Sequence, residues 1–450
     1  MEQDRLLQLQ EHYGRATLIQ DICIVPRQGT LWAVVVPKLD IFKNDNDTDI
    51  YGRVRWELDN LQAGLPADQH LGRLVLTRHP LERSELEAID DIAAIGHHHD
   101  VQKTIAISKD EPWSDEDRAV LQIETAKEVM ACVATLTARP IHLNSHWEID
   151  LGIDSFARVE LALRLEELFK IKIADELFYK ATTVKELIDL VSSLTPMASE
   201  GLASKVKGWG DILRQPPNGE ITRDIQAQIH RRSVVFNWLG GALLSALFKV
   251  CWSLKAEGAE HLPSKGPFII CPNHASFLDG LFIYNNLPFR HQLNAYFFGY
   301  YNIFYHKSMK WPVKNARLVA IDNNLHLKES LQVANLLLSH QKIACIFPEG
   351  MRSISDKIGP FYKGAAILAK ELGVPIVPVF IHGSHQSWPR GCNKPRLCPV
   401  KVVFGRPQNA DELEVKGTNG NSADVYERIT RGLRLEVMKL REGCLQRKIN

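Results

Sequence analysis

The pattern of hydrophobic and polar positions changes twice along the chain. Residues 18–37 first alternate and then run apolar, which predicts two strands joined by a turn at Gln28 and Gly29, and residues 48–61 have helical periodicity. From 115 to 194, apolar residues recur every three or four positions, which predicts helices throughout. Short apolar runs that alternate with helical segments then predict an α/β arrangement in the last part of the chain.

Polar stretches rich in proline and glycine mark the predicted domain boundaries. The fold class predicted is multidomain: a small α+β lobe in residues 1–100, a four-helix bundle in 115–195, a tether in 196–220 and an α/β domain with a mixed sheet in 221–450. A chain of 450 residues exceeds the usual size of a single core, so several compact units are expected.

Charge is distributed unevenly, although the whole chain has a formal net charge of +1. Lysine, arginine, aspartate and glutamate together give −7 for residues 1–114, −6 for 115–194 and +14 for 195–450. The basic last segment suits an anionic partner, such as an anionic lipid, a phosphorylated substrate or an acidic carrier. Nucleic acid is not favoured as a partner, because the basic residues are scattered and no stacking or groove-reading motif accompanies them.

Cysteine usage and the first residues indicate the compartment. The eight cysteines are dispersed without a C-x-x-C pair, so we predict neither a zinc site nor a disulfide framework and expect a reducing compartment. Residues 1–15 are polar, so no secretory signal is predicted. His97, His98 and His99 could bind a metal together, but in a polar stretch they are more typical of a linker. We therefore expect a cytoplasmic protein without a metal.

A serine at a predicted helix start is the first candidate for chemistry. Gly152-Ile153-Asp154-Ser155 follows an acidic loop that contains Glu148 and Asp150, and it precedes an amphipathic helix. Taken alone, the pattern is equally typical of a helix N-cap, since aspartate and serine are preferred there.

The residues that follow extend this pattern into a recognisable one. With Val159-Glu160-Leu161 and Thr182-Thr183-Val184 downstream, the segment resembles an acyl carrier protein over residues 116–194. The resemblance implies a 4'-phosphopantetheine on Ser155 whose thiol holds an acyl thioester, and a phosphopantetheinyl transferase that attaches it. The surplus of acids in this segment fits docking on basic partner surfaces.

A histidine and an aspartate five residues apart follow an apolar run at 268–270. Acyl transfer to an alcohol needs a base for the hydroxyl proton, and histidine is the side chain whose ordinary pKa lies nearest neutrality, so His274 is the candidate. Asp279 would fix the tautomer of the imidazole and stabilise the imidazolium. Taken alone, a polar pair that only stabilises a helix start would be the better interpretation.

Three further blocks accompany the histidine and the aspartate. Phe347-Pro348-Glu349-Gly350-Met351-Arg352-Ser353 follows an apolar strand, residues 361–364 add a lysine, and residues 373–379 begin another strand. Ligands of α/β sheets bind at such strand ends. In this order and spacing, the four blocks resemble the lysophosphatidate and glycerolphosphate acyltransferase family over residues 235–410.

This second resemblance implies a reaction and a set of site residues. His274 is implied as the general base and Asp279 as its orienting partner. The residues implied for the acceptor site are Glu349, Gly350, Arg352 and Lys363. Guanidinium suits phosphate because its donors engage two oxygens at once. The implied reaction is the transfer of an acyl group from a phosphopantetheine thioester, on a carrier or on CoA, to a hydroxyl of a glycerolipid-type acceptor such as lysophosphatidate.

One departure from the family pattern concerns the acceptor. The family usually has an arginine close to an Ile-Asp pair, whereas here Ile321-Asp322 is followed by Asn323-Asn324. Arg317 and Lys314 are the candidates to replace it. The identity of the acceptor lipid is therefore left open, as are the acyl chain and the question whether the carrier of the same chain is the donor.

A mostly apolar segment at 234–248, flanked by basic residues, predicts contact with a membrane. Its fifteen residues fall short of the ~20 that span a bilayer. An interfacial or re-entrant anchor is therefore favoured over a full span. Aromatic residues at 296–305 could lie at the headgroup level or pack inside the domain. We expect peripheral association with the cytoplasmic face of the membrane.

Residues 17–95 faintly resemble the C-terminal lobe of acyl-adenylating enzymes, through residues 22–37 and Thr77-Arg78-His79-Pro80-Leu81. That lobe normally ends with a lysine needed for adenylation, yet no lysine occurs between Lys43 and Lys103. We therefore expect a remnant or docking element without ligase activity. A separate acyl-adenylating enzyme is a candidate partner that would load the carrier.

A rival hypothesis belongs to a different functional class. In it, the chain is an acyl carrier and interaction protein that serves an external synthase, and its C-terminal domain acts mainly as a membrane anchor. The presence of both His274 and Asp279 favours the enzyme over this alternative.

Overall fold

The structure is a computed structural model with two compact units, Met1–Gly208 and Trp209–Asn450. The residues that it describes are 2–27, 30–44, 50–62, 65–78, 115–137, 139–153, 155–195, 208–217, 223, 225–226, 246–300, 317–321, 327–350, 352–353, 356–389, 392, 394–418 and 424–446. Several predicted features lie outside these ranges: His97 to His99, Asp154, Lys314, Asn323-Asn324 and most of the apolar segment 234–248.

The first unit begins with a small lobe built on three strands. Its elements are α1 (Glu2–Tyr13), β1 (Ile19–Arg27), β2 (Thr30–Pro37), α2 (Leu39–Asn44), α3 (Ile50–Gln62) and β3 (Leu71–Leu76). β1 pairs antiparallel with β2, and β3 pairs parallel with β2. Apolar side chains of α1, α3 and the strands form one core, which includes Tyr13, Val35 and Leu58. The two strands predicted in 18–37 and the helix predicted in 48–61 are confirmed.

The carrier segment of the first unit is helical, as its periodicity predicts. The described residues contain α4 (Asp115–Val120), α5 (Glu124–Ala134), α6 (Ser155–Phe169), α7 (Asp175–Lys180) and α8 (Val184–Leu194). The Thr183 side chain accepts a hydrogen bond from the Glu186 backbone at the start of α8, and the Glu186 side chain returns one to the Thr183 backbone. Such reciprocal capping satisfies backbone donors that a helix start leaves unpaired.

The second unit is an α/β domain. In chain order its elements are α9 (Trp209–Arg214), β4 (Lys255–Glu257), β5 (Phe268–Pro272), α10 (Asp279–Asn286), α11 (Phe289–Gln292), β6 (Ala295–Tyr300), β7 (Leu318–Ile321), α12 (Leu327–Ser339), β8 (Ile343–Cys345), α13 (Gly364–Leu372), β9 (Ile376–His382), α14 (Ser384–Ser387), β10 (Lys401–Phe404), α15 (Ala410–Lys416) and α16 (Val425–Gln446). The strands form one sheet in the order β4-β10-β9-β5-β8-β6-β7. β10 is antiparallel to β9 while the other pairs are parallel, so the sheet is mixed, as predicted.

The end of the predicted tether belongs to this second unit. Trp209, Ile212 and Leu213 of α9 are buried. The Gln332 side chain on α12 donates a hydrogen bond to the Ile212 carbonyl at 3.0 Å. The second unit therefore begins at Trp209 and includes residues that were predicted as tether. The apolar residues at helical spacing form a helix here although prolines follow them.

The aromatic cluster predicted at 296–305 is described only in part. Tyr296, Phe297 and Phe298 lie on β6 and are buried in the unit. These three rings therefore pack inside the domain. No helix among the described residues combines the length and the apolar character needed to cross a bilayer.

Candidate active site

A central strand carries the chain to His274. All five residues of β5 are buried, and β5 lies between β9 and β8. The chain leaves β5 at its carboxyl end, where the Asn273 Oδ1 atom accepts a hydrogen bond from the Ile381 backbone at 2.7 Å. This contact ties the turn to β9. The His274 side chain follows with 21% of its surface exposed, so a substrate can reach it.

Asp279 meets the imidazole of His274 across this turn. It is the first residue of α10, and its side chain is 0% exposed. The distance from His274 Nδ1 to Asp279 Oδ2 is 2.9 Å. The same oxygen accepts hydrogen bonds from the backbones of Ala275 at 2.7 Å and Ser276 at 2.8 Å. Because the carboxylate only accepts, Nδ1 carries the ring proton and Nε2 keeps its lone pair.

Two further side chains complete this arrangement, and sequence reasoning assigned neither of them a role. Ser384, buried at the start of α14, donates its hydroxyl to Asp279 Oδ1. The ring of Phe347 stacks on His274 with 4.1 Å between centroids and 30° between planes. No local pattern marks Ser384, because 105 residues separate it from Asp279. Phe347 belongs to the same sequence block as Glu349 and Arg352, whose polar side chains are the more evident candidates.

Glu349 bonds to backbone and side-chain donors around His274. Its Oε1 atom accepts from the His274 N–H at 2.8 Å, and its Oε2 atom accepts from Ser353 Oγ and the Gly359 N–H, both at 2.8 Å. Burial raises the pKa of Glu349 to about 7, although these three donors favour the ionised form. The carboxyl group thus ties the loop that follows β8 to the backbone of the histidine.

Gly350 allows the same loop to turn. Its φ of +69° lies in the left-handed region, where side chains are disfavoured. A Cβ atom there would lie 2.7 Å from the ring of Tyr362. Glycine is therefore required both by the backbone conformation and by the close approach of Tyr362.

The guanidinium of Arg352 stacks on the ring of Phe277, near the carboxylate of Asp279. Its Cζ atom is 3.3 Å from the centroid of the Phe277 ring, which is 43% exposed and lies 5.2 Å from the Trp388 ring. Burial lowers the pKa of Arg352 to about 10, and the charge of Asp279 opposes that shift. The guanidinium therefore remains charged at neutral pH and can face an anion.

Lys363 and Arg317, the other cations considered for the acceptor site, make different contacts from Arg352. Lys363 Nζ donates to Asp424 Oδ2 at 2.7 Å. Arg317 precedes β7, and its Cζ atom is 5.6 Å from the centroid of the Tyr296 ring. Since β5 and β7 run in the same direction in one sheet, Arg317 lies at the edge opposite His274. The idea that Arg317 replaces the arginine of the family pattern is therefore wrong.

Two parts of the chain match models of known protein families. Residues 253–382 match the acyltransferase family model, and residues 127–191 match the model of the phosphopantetheine attachment site. A 1-acyl-sn-glycerol-3-phosphate acyltransferase from Limnanthes douglasii is 28% identical over 165 residues, which are 36% of this chain and 57% of that protein. The chain thus spans little more than half the length of this curated relative.

Two solved structures overlap with parts of the chain. The 1-acyl-sn-glycerophosphate acyltransferase PlsC from Thermotoga maritima is 20% identical, with a TM-score of 0.36 over 49% of this chain and 87% of that chain. The A-PCP didomain of carboxylic acid reductase from Segniliparus rugosus is 17% identical, with a TM-score of 0.17 over 42% of this chain and 29% of that chain. The two family matches carry the conclusion: this chain contains a phosphopantetheine attachment domain followed by an acyltransferase domain.

Proposed function

We propose that this protein is an O-acyltransferase that works at a membrane surface. It moves an acyl group from a phosphopantetheine thioester to a hydroxyl of a glycerolipid-type acceptor such as lysophosphatidate. The observation that carries the proposal is the 2.9 Å contact between His274 Nδ1 and Asp279 Oδ2 at the carboxyl edge of the parallel strands. Ligands of α/β sheets bind at that edge.

His274 performs the proton transfers of this reaction. Its Nε2 atom takes the proton of the acceptor hydroxyl, whose oxygen attacks the carbonyl carbon of the thioester. The new C–O bond forms as the C–S bond breaks, and the imidazolium returns the proton to the departing sulfur. Asp279 stabilises the imidazolium while it exists, and Phe347 holds the ring plane by stacking on it.

The acceptor is held by Arg352, with Glu349 and Gly350 acting on the shape of the loop. A charged guanidinium that is partly desolvated suits the phosphate of a lysophospholipid. Glu349 contributes by fixing the backbone of His274, and Gly350 contributes by allowing the turn. Lys363, the further cation that the family resemblance implies for the acceptor site, is paired with Asp424, so it adds little net charge there.

The donor is a phosphopantetheine thioester, either on the carrier or on CoA. Ser155 is the first residue of α6, after a turn in which Gly152 has a φ of +66°, and a serine at such a junction fits covalent attachment of 4'-phosphopantetheine. The attached group supplies a thiol that holds the acyl chain as a thioester. A phosphopantetheinyl transferase attaches it, and a separate acyl-adenylating enzyme loads it. Opposite net charges, −6 for residues 115–194 and +14 for 195–450, favour encounter of this carrier with the acyltransferase domain.

The location follows from the same charges. The +14 of residues 195–450 attracts anionic lipid headgroups, which favours a peripheral position on the cytoplasmic face of the membrane. Association is expected to weaken at high salt, because headgroup attraction is screened. Recovery of the whole protein in the soluble fraction at low salt would contradict this location.

The test uses full-length protein whose Ser155 has been given an acylated phosphopantetheine. It is mixed with lysophosphatidate, glycerol 3-phosphate or a neutral monoacylglycerol, and the lipid products are identified by mass spectrometry. Product is expected with a phosphorylated acceptor and is expected to disappear in His274→Ala but not in His261→Ala, a variant of an exposed histidine. Product that survives His274→Ala contradicts the catalytic assignment. No product with any acceptor favours the carrier-and-anchor alternative.

A further inference from the structure

The loop before Ser155 supplies a cap to a helix of the N-terminal lobe. Glu148 Oε2 accepts a hydrogen bond from the Ile50 N–H at 2.9 Å, and Glu148 Oε1 accepts one from the Tyr51 N–H at 2.7 Å. Ile50 and Tyr51 are the first two residues of α3, whose backbone donors have no partner within the helix. A carboxylate satisfies these donors and also interacts favourably with the positive end of the helix dipole. The carrier thus caps a helix that lies 98 residues earlier in the chain.

The next residue of the loop enters the core of the lobe. The Ile149 side chain is fully buried, and it belongs to the apolar cluster that contains Leu58 of α3 and Leu76 of β3. The core of the carrier itself is a separate cluster around Trp147 and Leu165. Trp147 and Ile149, on either side of Glu148, therefore belong to two different cores.

The third residue of the loop is held by an ion pair. Arg78, which follows β3, places its Nη1 atom 3.0 Å from Asp150 Oδ2, and the two side chains are 31% and 16% exposed. The same guanidinium nitrogen donates to the Asn144 carbonyl. A partly buried pair with a second hydrogen bond is more firmly held than an exposed surface pair. Residues 148–150 are therefore bound to the lobe by a cap, a buried side chain and an ion pair.

The carrier holds the same loop from its other side. Arg139 Nη1 donates to the carbonyls of Ile149 at 3.3 Å and Asp150 at 3.0 Å. A Cβ atom at Gly152 would lie 3.2 Å from the Arg139 guanidinium, so the chain passes close over that side chain. Ser155 begins α6 three residues later. The residues that contact the lobe thus lie a few positions before Ser155 in the chain.

We infer that the N-terminal lobe is the fixed docking partner of the carrier. It stays bound to residues 148–150 while phosphopantetheine is attached to Ser155 and while the acyl group is carried, and the enzyme that modifies Ser155 recognises the lobe-bound carrier. Two of the acids of this segment, Glu148 and Asp150, bond to the lobe. This inference rests on the proposed attachment of phosphopantetheine to Ser155, and it does not depend on His274 or on acyl transfer.

Hydrogen–deuterium exchange of the full chain tests whether the lobe stays bound. Three states are compared by peptide mass spectrometry: unmodified protein, protein with phosphopantetheine on Ser155, and protein with an acylated arm. Amides of 50–62 and 144–153 are expected to exchange equally slowly in all three states, because the contacts persist. Exchange that becomes about tenfold faster in either modified state would show release of the lobe and overturn the inference.

A pair of variants tests whether the lobe-bound carrier is the form that is modified. Glu148→Ala is expected to accelerate exchange in 50–62 and 144–153 by about tenfold. It is also expected to slow modification of Ser155 by a broad-specificity phosphopantetheinyl transferase and CoA by about threefold or more, measured by intact mass. Glu124→Ala, which removes an exposed side chain paired with Lys127 on the carrier surface, is expected to change neither.

Exchange in α8 shows that the bundle remains folded in each variant. Arg78→Gln provides a second way to weaken the contact if Glu148→Ala does not fold, and the same changes are expected of it. Unchanged exchange at 50–62 in these variants would overturn the docking. Wild-type modification rates, together with accelerated exchange, would overturn recognition of the lobe-bound form.

Discussion

The carrier and the acyltransferase domain each place a functional residue where a turn becomes a helix, but they surround it differently. Ser155 is the first residue of α6, and Asp279 is the first residue of α10. Around the carrier turn, Glu148 and Asp150 bond to the lobe. In the acyltransferase domain, the carboxylate of Asp279 bonds to the ring of His274. The same local pattern thus provides the proposed attachment point in one case and a candidate catalytic pair in the other.

The difference lies in where the polar groups point. Under the proposed function, the carrier needs only a reachable hydroxyl, since the reactive thiol arrives with the attached group. The acyltransferase domain must hold donors and acceptors in place before the reaction begins, because reorganisation during the reaction would raise the barrier. Asp279 accordingly accepts four hydrogen bonds, from His274, Ala275, Ser276 and Ser384. Substitutions in the two regions should therefore have different kinds of effect.

The largest expected effect separates the two regions completely. Ser155→Ala is expected to abolish attachment of phosphopantetheine and to leave transfer from a soluble acyl-CoA within about twofold of wild type, since the second unit is unchanged. His274→Ala is expected to retain full attachment and to lower transfer by about 10²- to 10⁴-fold, the usual contribution of a general base. Intact mass and lipid product formation measure the two activities. Loss of both activities in either variant would contradict this separation.

Asp279→Asn is expected to lower kcat/KM by about 10²- to 10³-fold. Asparagine has nearly the same shape but no charge to stabilise the imidazolium, and its amide nitrogen cannot accept the bonds that both carboxylate oxygens now receive. Initial rates with acyl-CoA and lysophosphatidate measure the effect. Asp356→Asn, at an exposed aspartate, is the matched control and should retain wild-type rates. A loss of less than about fivefold in Asp279→Asn would show that the carboxylate has no catalytic role.

Ser384→Ala is expected to lower kcat/KM by about 10- to 100-fold, the range for one hydrogen bond to a charged group. Without the Ser384 hydroxyl, the Asp279 carboxylate loses one of the four donors that hold it against the His274 ring. The loss is therefore expected in kcat rather than in KM. A purely structural role would lower the fraction of folded enzyme and leave the kcat of that fraction unchanged. Ser339→Ala, at an exposed serine on α12, is the control.

Local patterns predicted what depends on neighbouring residues, and they failed where distant segments meet. The contact between His274 and Asp279 was predictable because a single turn joins them. The bonds from Glu349 to the His274 backbone and from Glu148 to Ile50 were not, since 75 and 98 residues separate the partners. No periodicity encodes which loops meet at a sheet edge.

The sequence contains features that argue against two of the predictions, the tether at 209–214 and the role of Arg317. Trp209, Ile212 and Leu213 have helical spacing, yet the prolines at 216 and 217 dominated the prediction of a tether. Arg317 precedes a strand, and that position alone places it at the amino edge of a parallel sheet, away from His274. Nearness in sequence to Ile321 is no guide here, because Ile321 lies at the other end of the same strand.

The smallest expected effect is an opposite response of the two regions to acid. Burial lowers the pKa of His146 in the carrier to about 3, helped by the charges of Arg158 and Arg78. Burial raises the pKa of Glu349 in the acyltransferase domain to about 7. The unfolded chain has values near 6.5 for histidine and 4.5 for glutamate. The fold therefore favours the neutral form of both side chains.

Between pH 7.5 and pH 5 the two contributions have opposite signs. As pH falls below 6.5, His146 is protonated in the unfolded carrier but stays neutral in the folded carrier. The free energy of unfolding of the carrier therefore falls by about 2 kcal/mol. The folded acyltransferase domain gains a proton at Glu349 before the unfolded chain does, so its free energy of unfolding rises by about 2 kcal/mol as pH falls through 7. Calorimetry of wild type, His146→Asn and Glu349→Gln isolates each term, because each variant should lose one slope. Parallel slopes in wild type and Glu349→Gln would show that this carboxyl group is already ionised at pH 5.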